Sequence, residues 1–444
     1  MLLLIALRNL LQARRRTFLL GLALAMVTAL LVLLMGLSSG IGDTMIRSAT
    51  TLASGHVNVG GFFKESSSDA SPVISGVSGI RAALDDLEGV ELVVDRGRGW
   101  ARVVSPEGSM QVGLTGLDVE EERRLMDTLM VAPESEYREG GEDTPKGDPR
   151  RLAEGRGAIV FAAQARRLGL RVGDPLTIVA ETMKGQRNSE EVTVVAVAKD
   201  IGFMSNFSVF VDKPTLRRLY RLGPDVSGVV QIYLDDHARA PAMMKVVRSR
   251  LEAAGHELMP HEPRPFFAKF STVAGEGWTG QRLDVTVWRD EVSFLGWILT
   301  AVDTVSFTLV GTLLAIIAVG IMNSMWISVR ERTQEVGTLR AIGMRRPAVM
   351  TLFVLEALIL GFLATSLGGL AGAGLALALD AAQVRVGVEA VSAVLMSDRI
   401  HLVVEPARVA LAVLGFTAVA GLSALAPALR AARLQPVTAM HHVG

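Results

Sequence analysis

The sequence predicts an α-helical membrane protein with four transmembrane helices and a large α+β extracytoplasmic domain between the first and second. Three observations predict it. Hydrophobic residues make up 50% of the chain and mean hydropathy is +0.38, a composition common in membrane proteins and unusual in soluble enzymes. Four apolar stretches are long enough to cross a hydrocarbon core, which takes about 20 residues in helix. A long polar segment with alternating strand and turn signals separates the first stretch from the other three.

Residues 1–16 read as a short amphipathic helix with Arg8, Arg14, Arg15 and Arg16, and no acid precedes Asp43. The first span is expected over 17–42, which carries no charge. It is far longer than the apolar core of a cleaved signal peptide, about 7–15 residues, so it reads as an anchor. The second span is expected over 292–329, with an uncharged run from Thr304 to Val329. The third, 348–379, is interrupted by Glu356, and the fourth, 409–429, has Pro427 near its end.

Arginine placement sets the orientation. The N-terminus, the segment 330–347 (Arg330, Arg332, Arg340, Arg345 and Arg346 against Glu331 and Glu335) and the tail 430–444 (Arg430, Arg433) lie on one side of four spans. That side is expected to be the cytoplasm of a bacterial inner membrane, with both termini inside. The large domain, 43–291, and a short loop, 380–408, then lie outside. Lys plus Arg and Asp plus Glu each total 45, so the formal charge of zero hides this polarity. The chain has no cysteine, which excludes disulfides and thiolate chemistry.

Within the outer segment, Gly157–Phe161, Glu191–Val197, Phe207–Val211 and Val229–Leu234 read as strands. Arg171–Val179 opens on Gly-Asp-Pro turn chemistry before another. Ala162–Leu168, Pro214–Tyr220 and Pro241–Ala254 read as helices, the second with proline in an allowed first-turn position. Lys64–Pro72 reads as a polar loop, and Pro133–Pro149 as a mobile surface loop rich in Gly, Pro and charge. Phe266–Ser293 is expected to include a helical stalk into the second span.

Motifs for chemistry are absent from these residues. No G-x-x-x-x-G-K-[ST] occurs, so no P-loop is present. No serine lies in G-x-S-x-G. The histidines and acids of His256–Glu262 lack H-E-x-x-H spacing and read as a solvated turn, so no metal site is expected. The arginines flank spans and are not interleaved with aromatics, which argues against nucleic acid.

The segment Arg330–Met344 is the informative one. It has no proline, and Val336, Leu339 and Ile342 recur every three residues on one helical face. Arg332 and Glu335 have the i,i+3 spacing of a helical ion pair, and Gly343 followed by Pro347 reads as a helix end. It is either an interfacial helix that anchors a hairpin or a coupling helix that docks on an ATPase. Glu356 lies inside a span, where a carboxylate is costly and a functional hint. The plainer reading pairs it with an arginine of the preceding segment.

Gly320–Met344 (GIMNSMWISVRERTQEVGTLRAIGM) resembles the signature of the MacB/FtsX-type ABC permeases. The likeness extends through Glu356 and the glycine-rich GFLATSLGGLAGAG. Pro427–Met440 resembles the family's C-terminal signature, and Leu7–Thr17 its N-terminal helix. The resemblance implies a type VII, MacB-like architecture: two permeases, identical or paralogous, bound to two cytoplasmic ATPase subunits. ATP and magnesium would sit on the ATPase, with no cofactor on this chain and no catalytic residue in it. ATP-driven closure would reach the outer domain through the first two spans, a mode called mechanotransmission. Arg330, Glu331, Arg332, Glu335, Val336, Gly337, Leu339, Arg340, Ile342 and Gly343 would form the coupling site.

Gly55–Phe62 (GHVNVGGF) and Val112–Leu125 resemble lipoprotein-releasing permeases, whereas MNSM and RERTQEVG resemble macrolide-efflux permeases. The expected function is extraction of lipoproteins or lipids from the inner membrane, passed to a periplasmic acceptor. The alternatives are a tripartite efflux permease with a periplasmic adaptor, or an FtsX-like regulator of a cell-wall hydrolase that transports nothing. For extraction, Met35, Leu37, Ile41 and Met45 of span one and Phe294, Leu295 and Ile298 of span two are expected to line a lateral entry from lipid.

Overall fold

The computed structural model describes residues 2–12, 14–66, 70–201, 205–384 and 400–433. The end of the expected tail, 434–444, and most of the loop 380–408 lie outside the described residues. Fourteen helices are used below. They are α1 (Leu2–Gln12), α2 (Arg14–Leu52), α3 (Val77–Ala82), α4 (Arg123–Thr128), α5 (Glu134–Tyr137), α6 (Ala162–Leu168), α7 (Lys213–Tyr220), α8 (Ala240–Ala253), α9 (Phe266–Ala274), α10 (Trp288–Glu291), α11 (Ser293–Glu331), α12 (Thr333–Ala341), α13 (Arg346–Ala381) and α14 (Pro406–Arg433). The chain divides into two compact units: the membrane helices, and a large domain over Thr44–Ile298.

In the membrane unit α2, α11, α13 and α14 are long and apolar enough to cross a bilayer. Small residues let three of them approach closely, the usual basis of helix packing in lipid. Gly361, Ala364, Thr365, Gly368, Gly369, Gly372 and Ala376 of α13 are buried. A Cβ on Gly372 would come within 2.7 Å of the Ala29 carbonyl oxygen of α2, and one on Gly361 within 2.9 Å of Ala420 of α14. Thr365 and Thr417 hydroxyls meet at 3.3 Å across the same α13–α14 seam. By contrast, α11 is hardly covered: Trp297, Val305, Phe307, Ile316 and Val319 are exposed.

The large domain is built on β1 (Val57–Lys64), β2 (Ile74–Ser75), β3 (Val90–Val104), β4 (Ser109–Leu117), β5 (Gly157–Phe161), β6 (Pro175–Glu181), β7 (Arg187–Ala198), β8 (Ser208–Asp212), β9 (Val226–Ser227), β10 (Val229–Leu234) and β11 (Gly280–Val287). Nine of them form one sheet in the order β11-β1-β10-β3-β4-β8-β5-β7-β6. Strand β3 is long enough to serve two halves. Its first half pairs with β10, and its second half with both β4 and β6. The β3–β6 pairing closes the strands from β3 to β6 into a ring, which removes their free edges.

The ring encloses the domain's main core, with Ala101, Val103, Val112, Leu114, Val160, Ile178, Val194 and Val209 facing inward. Helix α7 packs on it through Leu216, Leu219 and Tyr220. Asp212 caps this helix, its carboxylate accepting from the Thr215 amide at 2.9 Å, and Pro214 falls in the first turn. Tyr220 donates to the Trp100 carbonyl at 2.7 Å over Gly99, where a side chain would collide with the phenol ring.

Two local expectations are corrected. Phe266–Ser293 holds no continuous helical stalk: it contains α9, then β11, then α10. Leu283, Val285 and Val287 alternate with Asp284 and Thr286, a period-two signal that pairs β11 with β1 over eight residues. The stretch Pro133–Pro149 is pinned to the domain. Buried Glu134 accepts from Arg138 at 2.9 Å and from Lys146 at 2.6 Å, and Tyr137 is buried.

Candidate functional site: the segment between the second and third spans

Helix α11 does not stop at the end of the apolar run. It continues to Glu331, breaks at Arg332 (φ −105°, ψ 16°), and α12 starts one residue later. Thr333 shapes the break by donating to the carbonyls of Val329 and Arg330 at 3.0 and 2.9 Å. The far end of α12 is closed by Gly343 at φ 108°, with the Met344 amide donating to the Leu339 carbonyl at 3.0 Å. Only glycine takes that backbone freely. Pro347 then sits in the first turn of α13.

The apolar stripe of this short helix is split between two surfaces. Val336 is 3% exposed and packs with Ile321, Met325, Val329, Val349 and Phe353. Gly337 is also buried. Leu339 and Arg340 are half-buried, and Ile342 is 80% exposed. Arg330, Glu331 and Glu335 lie on the solvent side. One face therefore fixes the helix to the membrane unit, and the other offers charge with an apolar tip.

Arg332 does not take up the expected i,i+3 pairing with Glu335. It donates instead to buried Glu356 at 3.0 Å, and its other terminal nitrogen donates to the Asn9 carbonyl at 3.1 Å. The Asn9 side-chain amide donates to the same Glu356 oxygen at 2.5 Å. Three elements, α1, the α11–α12 break and α13, thus meet on one carboxylate. Burial selects this partner: Glu356 has to be compensated, whereas Glu335 is already hydrated. Asn9 was not singled out from the sequence. An amide on the inner face of a basic helix was its only signal. Arg430 of α14 stacks over Trp326 of α11 at 5.1 Å and ties the same end together.

At the opposite end of the membrane unit, the segment before α14 lies along α2. The Val403 amide donates to the Gly36 carbonyl at 3.0 Å, and Arg408 donates to Ser39 at 2.7 Å. A shallow crevice here is walled by Val32, Met35, Val403, Val404 and Val409, with Arg408 and Glu405 at its rim. Of the residues expected at a lateral entry, Met35, Leu37 and Ile41 are half-buried and Met45 is fully buried. The side chains of Phe294, Leu295 and Ile298 lie outside the described residues. Among the described residues no cluster of three or more His, Asp or Glu could hold a metal. His261 instead pairs with Asp290 at 3.0 Å.

Comparison with known proteins agrees with this layout. The FtsX-like permease C-terminal family matches residues 307–436, and the MacB-like periplasmic core domain family matches residues 17–251, just over half of the chain. The chain belongs to the MacB/FtsX family of ABC transporter permeases. The macrolide export ATP-binding/permease protein MacB of Psychrobacter cryohalolentis is 35% identical over 142 residues, covering 31% of this chain and 19% of that protein. The ABC transporter permease YknZ of Bacillus subtilis is 33% identical over 81 residues, 18% of this chain and 19% of that protein. The pyoverdine export ATP-binding/permease protein PvdT of Pseudomonas fluorescens is 35% identical over 125 residues, 28% of this chain and 16% of that protein. The match therefore covers less than a fifth of the length of each of these three relatives. Among solved structures, the periplasmic region of MacB from Actinobacillus actinomycetemcomitans aligns over 54% of this chain and 92% of that one, at 10% identity and a TM-score of 0.30. The extracellular domain of YknZ aligns over 44% and 95%, at 16% identity and a TM-score of 0.29.

Proposed function

We propose that this permease works with a separate cytoplasmic ATPase and uses ATP hydrolysis to move its periplasmic domain, extracting lipoproteins or lipids from the inner membrane. The observation that carries the reading is the divided surface of α12, anchored through Val336 and Arg332 and open at Ile342. A helix docked on a moving partner needs one rigid face and one free face. Two ATPase subunits and a second permease, identical or paralogous, would complete the machine. The arginine-rich ends face the cytoplasm and the large domain faces the periplasm.

The energetics of the substrate restrict the route. At about 0.8 kcal/mol per methylene, exposing three acyl chains to water costs on the order of 35 kcal/mol. The chains have to pass from lipid into apolar protein without hydration. The crevice at Met35 combines apolar walls with the charged pair Arg408–Glu405. Met35, Leu37, Ile41 and Met45 with Phe294, Leu295 and Ile298 are the proposed lining of a lateral entry from lipid. Efflux is the second reading, favoured by the export names of the MacB and PvdT relatives.

Affinity isolation of the full-length protein from native membranes, with mass spectrometry of proteins and lipids, separates these readings. An ATPase with acylated proteins or lipid supports extraction. An ATPase with a periplasmic adaptor and an outer-membrane duct supports efflux, and a bound cell-wall hydrolase supports an FtsX-like role. A folded preparation without any ATPase overturns the coupling argument.

A further inference from the structure

We propose that Arg96 and Glu122 form the joint through which movement of α2 is delivered to the large domain. The last carbonyls of any helix lack intrahelical partners. In most helices water or a following glycine satisfies them. Here the end of α2 is buried, and side chains of two strands reach it. Arg96 of β3 donates from Nη1 to the Thr51 carbonyl at 2.9 Å and to the Leu52 carbonyl at 3.3 Å. The Tyr233 hydroxyl of β10 lies 3.2 Å from the Thr50 carbonyl oxygen, and Gln231 Nε2 donates to the Ala53 carbonyl at 3.2 Å. Four consecutive carbonyls are gripped by β3 and β10.

The arginine is itself held. Its Nε and Nη2 donate to the two oxygens of Glu122 at 2.5 and 2.7 Å, and Nη2 also donates to the Tyr233 oxygen at 3.2 Å. Both side chains of the pair are 2% exposed. Burial alone would pull the guanidinium down, but Tyr233 and Glu122 beside it hold it above its ordinary range. Two charges taken out of water are an expensive way to cap a helix, since an apolar pair of similar volume is often at least as stable. What a bidentate arginine adds is direction: its planar fork fixes the angle between helix and strand.

The placement suits a transmission. Helix α2 is unbroken from Arg14 to Leu52. Arg96 lies on β3, the strand shared by both halves of the domain. The return path is tied in beside it: the His56 carbonyl accepts from the Trp288 amide at 3.0 Å, and β1 and β11 pair over eight residues next to β10. Tilt or rotation of the α2 end is delivered to β3 through charge-assisted hydrogen bonds rather than through apolar contacts that can slide.

The inference rests on the ATP-driven reading above, and its test is separable from it. The chain has no cysteine, so Arg47→Cys and Gln111→Cys, in protein diluted with an excess of unlabelled chain, place one pair of spin labels per assembly on α2 and on β4. Pulsed electron paramagnetic resonance on the full-length protein in nanodiscs is expected to give one narrow distance, unchanged when the copurified ATPase is trapped with ATP and vanadate. Arg96→Met with Glu122→Met keeps the volume and removes the fork; it is expected to broaden the distribution and to lose substrate release while ATP turnover persists. Arg96→Lys keeps the charge and is expected to broaden it as well. A purely structural arginine predicts a lower Tm for Arg96→Lys with the distance still narrow, and that result overturns the proposal. So does a parent distance that shifts on trapping, which would make the contact a hinge. Failure to recover an ATPase counts against the permease reading alone, because the nucleotide-free distances still report on the joint.

Discussion

Arg332 and Glu356, 24 residues apart, are joined at 3.0 Å inside the membrane unit, with side chains 13% and 4% exposed. The pair fixes the break between α11 and α12 to the first turns of α13, and Asn9 brings α1 to the same carboxylate. The angle between α11 and α12 is therefore set by one buried charge cluster. Removing one member of a buried ion pair typically costs about 3–5 kcal/mol. Glu356→Leu is expected to lower the Tm of the purified protein sharply. The double variant Arg332→Met/Glu356→Met should recover most of that Tm but not ATPase stimulation. Equal Tm values for the single and double variants would show that the pair carries no coupling energy.

Ile342 and Val336 belong to one sequence stripe and do different jobs. Val336 is buried in the helix core and Ile342 is 80% exposed. An apolar anchor at the centre of an interface is commonly worth about 2 kcal/mol or more, roughly a thirtyfold change in affinity. Ile342→Asp is expected to leave folding intact and weaken ATPase capture by about that factor, measured by titration of the detergent-solubilised complex. Val336→Asp buries an unpaired carboxylate and should lower the yield of folded protein instead.

Much of this was legible in the sequence, because the signals were local. Long apolar runs gave the four spans, Gly343 gave the helix end, and β-rich runs between turn signals gave five strands, β5, β6, β7, β8 and β10. What escaped was decided by tertiary partners. The pairing of Glu356 with an arginine of the preceding segment was expected, but not that Arg332 would leave Glu335 for it or that Asn9 would join it. The Phe266–Ser293 segment was read as a stalk because it precedes a span, although Leu283, Val285 and Val287 alternate as a strand should. Arg96 and Arg98 alternate with glycines in β3, and nothing in that pattern says that a helix end 44 residues earlier needs a donor. The residues expected at a lateral entry have no periodic signal of their own, since lipid-facing and partner-facing positions are equally apolar.

His56, 5% exposed, receives the Leu234 amide on Nδ1 at 2.9 Å, which requires that nitrogen to be unprotonated. Burial, with Arg124 and His237 nearby, lowers its pKa from 6.5 to about 4. The unfolded chain binds a proton near pH 6.5 and the folded one does not until about pH 4. The stabilisation is thus complete above pH 6.5 and is lost progressively as pH falls towards 4. Thermal unfolding of the full-length protein across this range should show a falling Tm. His56→Asn keeps an acceptor for Leu234 without the titration, and its Tm should fall less steeply. Parallel curves for the two proteins would remove His56 as a source of the acid sensitivity.

The close seams of α13 make a graded prediction. A Cβ on Gly368 would run into the backbone of Ala25, and one on Gly372 would come within 2.7 Å of the Ala29 carbonyl, whereas Gly374 has nothing within 4 Å. Backbone cannot swing aside as a side-chain tip can, so added volume has to push α2 and α13 apart. Overpacking of this kind costs about 1–3 kcal/mol. Gly368→Val and Gly372→Val are each expected to lower Tm and to reduce crosslinking between cysteines placed at Ala25 and Leu367. Gly374→Val, on the open face of the same helix, should change neither. If all three substitutions behave alike, the loss would come from the valine within the helix itself and not from the α2–α13 contact.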